Sequence, residues 1–304
     1  MYPIIVVAAG ASELTEALGT KPKFWYTYNG APALYKEGRP GSGEHWAEKV
    51  CCEICRLLAI PHAEYELAHW KGRQGVISPS FVPENGRLVL GNELIARFVR
   101  AYLLGPMRYK AKQHSVRRAM AVLAWPRILP PIGYAMPSGL ERARDLFVGY
   151  LMLDALVGNQ DRHHENWGVV FTAGERVSLA PTFDHASSLG RNERDEERLR
   201  RLATKDRGSS VQHYAARAAS AFYANPASDR PLSTLAAFEE AGRIAPNAAA
   251  FWLATLSRVS RVDFEAILSL VPPSEMSDPA KAFAMEMLVV NRGRLLGSVS
   301  GETG

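Results

Sequence analysis

The stretch from Leu140 to Asp184 constrains the fold more than any other part of this chain. Leu140, Phe147, Val148, Leu151 and Ala155 line one face at helical period, and Gly158 stands where a C-terminal cap belongs, which predicts a helix over Leu140–Val157. A polar loop containing Asp161-Arg162-His163-His164-Glu165-Asn166 follows directly. Two strand-like runs, Trp167–Phe171 and Arg176–Leu179, then flank a turn at Ala173-Gly174. A hairpin there carries the chain back toward the loop it has just left. Asp184 therefore returns beside Asn166.

The residues ahead of this block read differently. Ile4–Ala9 is an apolar run that predicts a buried strand. It is too short for a membrane span or a signal-peptide core, and no basic residue precedes it. Phe24–Tyr28 and Ala33–Tyr35 flank Asn29-Gly30, a hairpin signal. A helix is expected from Ser42–Glu44 to about Leu58, because Trp46, Val50, Ile54 and Leu57 form one stripe. Strands are predicted at Ala63–Ala68 and Gly75–Ser78, after which Pro79, Pro83, Asn85 and Gly86 break the pattern.

Beyond this break the chain turns helical. Helices are expected over Asn92–Leu103, Val116–Ala124, Gln212–Tyr223, Leu232–Ala241, Ala248–Leu256, Asp263–Leu270 and Pro279–Leu296, with an exposed charged stretch around Arg191–Arg201. Strands first and helices afterwards imply an α+β protein of two segregated lobes, 1–83 and 84–304. A length of 304 residues with 47% hydrophobic content is enough to bury a core in each.

Charge and cysteine content exclude little. A net charge of +5 is compatible with an anionic ligand, and the basic run Arg108–Arg118 reads as a solvated face rather than a nucleic-acid site. Cys51, Cys52 and Cys55 cluster on one predicted helix, lack an evident fourth ligand, and read as small apolar packing. With neither an export signal nor a disulfide framework, a reducing cytoplasmic setting is expected. Val6–Ser12 looks like the opening of a dinucleotide fold but lacks its glycine spacing.

The chemistry lies in Asp161, Asn166 and Asp184. A bare Asp-x-x-x-x-Asn occurs in many turns, because short polar side chains bond to nearby backbone. Between an amphipathic helix and a hairpin ending in a second aspartate it acquires meaning. One carboxylate, Asp161, can accept the proton of an attacking hydroxyl, while Asn166 and Asp184 offer oxygen ligands to Mg²⁺. That order is the one found in the lower lobe of protein kinases. His163 is expected to brace the loop and His164 to face solvent, since adjacent histidines rarely converge on one ion. Lys36, at the end of its strand, can reach nucleotide phosphates, and Glu44, Glu48 and Glu53 are its possible partners. Gly19-Thr20-Lys21-Pro22-Lys23 offers backbone N–H groups, a hydroxyl and two ammonium groups to phosphate.

These residues together resemble the HipA-like serine/threonine kinases of bacterial toxin–antitoxin modules and their relatives. The resemblance covers most of the chain: Gly19–Lys23, Ala33–Lys36, Glu44–Ile60, Asp161–Asn166 and Ala180-Pro181-Thr182-Phe183-Asp184. It implies a protein-kinase-like fold, with a small strand-rich N-lobe and a larger helical C-lobe, that uses ATP and Mg²⁺. Asp161 would be the catalytic base, Asn166 and Asp184 the metal ligands, and Lys36 the phosphate-binding lysine. Glu48 would be its partner, Gly19, Thr20, Lys21 and Lys23 the phosphate loop, and Phe81 the adenine-contacting hinge residue.

The pattern departs from the family in places. Phe183-Asp184-His185 replaces Asp-Phe-Gly, and the chain is shorter than the longer toxin kinases. An antitoxin-type partner therefore stays open, and direct nucleic-acid contact is not expected. Asp161-Arg162-His163…Asn166 is also similar to the motif of phosphatidylinositol kinases. Transfer to a small molecule or inositol lipid is the alternative to a protein substrate, and a nucleotide-holding pseudokinase is the non-enzyme rival.

Overall fold

A computed structural model describes residues 1–11, 14–15, 22–99, 102 and 111–297. Its first sheet grows from the Asn29-Gly30 turn, where both residues take positive φ, 50° and 78°. That combination matches the right-handed twist of paired strands. Six strands make the sheet: β1 (Ile4–Val7), β2 (Leu14–Thr15), β3 (Lys23–Tyr28), β4 (Ala31–Glu37), β5 (Glu66–Trp70) and β6 (Arg73–Pro79), in spatial order β1-β5-β6-β4-β3-β2. Phe24, Tyr26, Tyr35, Ala68 and Ile77 cluster on one of its faces.

Helix α1 (Glu44–Leu57) connects β4 to β5. Trp46, Val50 and Ile54 of the expected stripe join the core shared with the helical part, while Leu57 is 38% exposed and the cap residue Leu58 is buried in its place. The apolar run at Ile4–Ala9 is shorter and less buried than expected. β1 ends at Val7 and pairs parallel with β5 at the sheet edge, where Val6 is 82% exposed. A continuous apolar run cannot by itself separate a central strand from an edge strand.

A second, four-stranded sheet contains β7 (Arg87–Leu90), β8 (Ile128–Leu129), β9 (Gly168–Thr172) and β10 (Arg176–Leu179), ordered β7-β9-β10-β8. The hairpin β9–β10 is the one predicted. β7 and β8 carry no alternation long enough to reveal them. Around this sheet lie α2 (Gly91–Ala96), α3 (Val116–Leu123), α4 (Ala143–Val157), α5 (Asp195–Ala203), α6 (Val211–Ala216), α7 (Thr234–Ile244), α8 (Pro246–Ser257), α9 (Arg261–Ser269) and α10 (Asp278–Gly297).

Helix α4 is the centre of this part. It is buried on nearly every side, and Gly149 lets the Trp252 indole lie against its backbone, where a Cβ would come within 2.5 Å of the ring. Gly158 closes it with φ 65°, and its N–H bonds to the Asp154 carbonyl.

The charged stretch Arg191–Arg201 is exposed or half-exposed apart from Arg198, and much of it is helical, because α5 places acids in its first turn and arginines in its last, complementing the helix dipole. Two sequence expectations are corrected. The helix expected over Gln212–Tyr223 ends at Ala216, and Ala219 instead bridges Ser233. The helix expected over Asn92–Leu103 ends at Ala96, and part of that range lies outside the described residues. All three cysteines are free and buried. Among the described residues no helix is long and apolar enough to cross a membrane.

Candidate active site

A cleft of about 850 Å³ lies between the first sheet and the helical part. Lys36, Phe81, Asp161, Asn166 and Asp184 all line it, as does Lys23. Gly19, Thr20 and Lys21 lie outside the described residues. Phe81 follows β6 and rests 5.6 Å, ring to ring, from Phe183.

Strand β4 delivers Lys36 to a pair of carboxylates. Its Nζ lies 2.7 Å from Glu48 Oε1 and 2.9 Å from Asp184 Oδ1. Burial alone works to depress the ammonium, but the charges of Asp184 and Glu48 outweigh it and hold Lys36 well above its ordinary range. The second oxygen of Glu48 accepts the His185 backbone N–H at 2.7 Å. One buried carboxylate thus ties β4, α1 and the segment after β10 together. The other two glutamates of α1 are engaged elsewhere: Glu44 with Arg39 and Arg191, and Glu53 with Lys49 and Arg56.

The loop after α4 is held from within. The Arg162 guanidinium is fully buried and forks onto Asp154, with Nε to Oδ2 and Nη2 to Oδ1 both 2.8 Å. Its remaining Nη1 donates to the Asn166 carbonyl at 2.8 Å and the Phe183 carbonyl at 3.3 Å. Asn159 donates to Asp154 at 2.8 Å and accepts the Asp161 N–H at 3.2 Å. Arg162 therefore sets the spacing between the loop bearing Asp161 and the segment bearing Asp184.

Within this frame the Asn166 side-chain nitrogen donates to the Asp161 carbonyl at 2.7 Å, leaving its oxygen as the donor atom toward a cation. Asp184 has a φ of 61°, its N–H donates to the Tyr65 hydroxyl at 3.2 Å, and its side chain is 37% exposed. An amide oxygen and a carboxylate are hard donors of the kind Mg²⁺ takes, so the residues present fit that ion.

His163 accepts the Glu165 N–H at 3.1 Å, and its Nε2 lies 3.7 Å from Asp161 Oδ1. His164 does not face solvent. It is buried, with Nδ1 2.8 Å from the Tyr102 hydroxyl and its ring edge-on to Tyr102 and His114. His163 is buried to the same extent, so both rings of the pair are enclosed.

Sequence reasoning overlooked Asp154, Asn159, Tyr65 and the His185 amide. Asp154 left a readable signal, as an acid set among apolar residues in the second half of α4. Such an acid implies a buried partner.

Residues 17–245 of the sequence match the HipA-like C-terminal domain. The chain belongs to the HipA-like kinase family. Among solved structures, this HipA-like chain is similar to the Helicobacter pylori proinflammatory kinase CtkA, with a TM-score of 0.75 at 19% identity, over 99% of this chain and 100% of the other. It is also similar to HipA of Shewanella oneidensis MR-1, solved with HipB and operator DNA, with a TM-score of 0.57 at 14% identity. That match covers 93% of this chain and 65% of the HipA chain. No curated protein sequence matches the chain. At these identities the likeness shows the fold, which is kinase-like: a strand-rich N-terminal sheet followed by a mainly helical part.

Proposed function

We propose that the chain is an ATP- and Mg²⁺-dependent kinase that transfers the γ-phosphate to a serine or threonine hydroxyl of a protein. The observation that carries this reading is Lys36, held between Glu48 and Asp184 on the wall of a cleft that Asp161 and Asn166 also line. Two units are proposed, 1–83 for nucleotide and 84–304 for catalysis and acceptor, with Phe81 at the hinge against the base and Gly19, Thr20, Lys21 and Lys23 toward the phosphates.

In this mechanism Asp161 orients the acceptor hydroxyl and takes its proton. Lys36, kept cationic by its two carboxylates, neutralises phosphate charge. Asn166 and Asp184 would hold magnesium, which when bound spreads the charge of the phosphate oxygens. Catalysis then rests on positioning and electrostatic stabilisation, with no covalent enzyme intermediate. A partner of antitoxin type belongs to the proposal because the HipA relative is solved with HipB. A cytoplasmic ATP supply fits the same reading.

Asp161→Ala is expected to abolish γ-phosphate transfer from radiolabelled ATP while the far-ultraviolet circular dichroism stays that of the parent. Full activity in that variant overturns the assignment. Label appearing in metabolite or lipid fractions instead of protein would shift the acceptor class.

A further inference from the structure

Beside the last turns of α1, three side chains form a group that the kinase reading does not use. Cys52 sits one turn beyond Glu48 on α1, while His62 and Glu64 lie in the segment leading to β5. Among the described residues this is the one group of three or more such side chains whose ligand atoms all lie within 4.8 Å of one another. His62 Nε2 is 3.5 Å from Glu64 Oε1, and Cys52 Sγ is 3.7 Å from Glu64 Oε2. Tetrahedral zinc, with bonds of about 2.0–2.3 Å, separates its ligand atoms by roughly 3.3–3.7 Å; the two distances run to different oxygens of Glu64, so a small side-chain adjustment closes the three groups on one ion.

The histidine supplies a second, independent observation. His62 Nδ1 lies 2.7 Å from the Ile60 carbonyl, an acceptor, so Nδ1 carries the proton and in the neutral ring Nε2 presents a lone pair. That Nε2 is buried without a hydrogen-bond partner and faces the Glu64 carboxylate, an arrangement of two acceptors that a bridging cation resolves. A carbonyl on the far ring nitrogen is also how metal-ligating histidines are usually oriented. The His62 side chain is 10% exposed, and His62 and Glu64 line a second cavity of about 480 Å³ that gives an ion and a water ligand their way in.

We propose that Cys52, His62 and Glu64 bind a thiophilic divalent cation of the Zn²⁺ type. Arg56 is the competing charge. Its guanidinium bonds Glu64 and lies 4.0 Å from Cys52 Sγ, yet it also pairs with Glu53 at 2.5 Å, so it can yield Glu64 while keeping a partner. Cysteine binds such a cation as its thiolate, so ligation releases the Cys52 proton. His62 also forms a parallel bridge to Thr182, two residues before Asp184. The bound ion would clamp α1 to the segment that carries Asp184.

The test is titration of the purified full chain with Co²⁺ and Zn²⁺. One equivalent of Co²⁺ should produce a thiolate-to-cobalt charge-transfer band that Zn²⁺ abolishes. Cys52→Ser should remove the band, His62→Gln should weaken binding about tenfold or more, and Arg56→Ala should tighten it. Absence of the band at stoichiometric Co²⁺, or its survival in Cys52→Ser, overturns the proposal. Should Cys52→Ser fail to fold, unchanged affinity in His62→Gln overturns it equally. Metal binding is read directly, so the outcome is independent of kinase activity.

Discussion

Asp154→Asn tests whether the loop bearing Asp161 is held by one buried ion pair. The Arg162 and Asp154 side chains are 1% and 4% exposed, and two 2.8 Å bonds join them. Asparagine keeps the volume and one acceptor oxygen but loses the charge. Its NH₂ then faces a donor, either the guanidinium or the Asn159 amide, which now donates to Asp154 Oδ1 at 2.8 Å. The substitution leaves the guanidinium charged, since arginine does not deprotonate at working pH. An uncompensated buried charge of this kind costs about 3–5 kcal/mol. Urea denaturation followed by tryptophan fluorescence should therefore show a lower midpoint with an unchanged slope. Because Arg162 also donates to the Asn166 and Phe183 carbonyls, phosphate transfer should fall together with stability. A loss of less than about 1 kcal/mol would refute the reasoning, since the desolvated pair would then not be the main tie.

Two further outcomes follow from the geometry. Glu48→Gln removes one of the two charges holding Lys36, a charge-assisted bond worth about 2 kcal/mol. If that positioning serves catalysis, kcat/KM for ATP should drop about 30-fold, and a change within twofold would count against it. His114 is one pH-sensitive element among the buried histidines, with His45 and His185. Its Nδ1 donates to the Ala221 carbonyl and its Nε2 accepts the Trp167 indole N–H at 3.1 Å, so the fold needs the neutral ring, and burial lowers its pKa to about 3. With the folded value below the unfolded one, the unfolded chain binds the extra proton. Stability from this site is then fully present above about pH 6.5 and is lost as pH falls toward 3. Between pH 6.5 and 5 the parent should lose about 2 kcal/mol more than a His114→Phe variant in paired denaturation curves. Parallel curves for the two proteins would exclude His114 as the source.

What the sequence could reveal depended on how far apart the interacting residues lie. The Asn29-Gly30 hairpin, α1, α4 and the β9–β10 hairpin rest on neighbours a few positions away, and periodicity and turn chemistry locate them closely. The choice among Glu44, Glu48 and Glu53 could not be made that way. The apolar stripe of α1 favours Glu53, but α1 is buried on most sides, and Glu44 and Glu48 are both enclosed while Glu53 keeps company with Lys49 and Arg56. A stripe names one buried face and is silent about a second. Within the charged run after Gly190, Arg191 departs from expectation for a related reason. Arg191 looked solvent-facing until Glu44, 147 positions earlier, supplied its partner, as Asp184 does for Lys36 across 148 positions. Burial of a charge is decided by such partners, and a window of a dozen residues contains none of them. Local order alone leaves the cleft as a set of unpaired groups. The pairs through Glu48, 12 and 137 positions apart, and through Arg162, 4 to 21 positions apart, turn it into a site with fixed spacing, so substitutions at those two residues test the proposed chemistry more sharply than changes at the groups that only line the cleft.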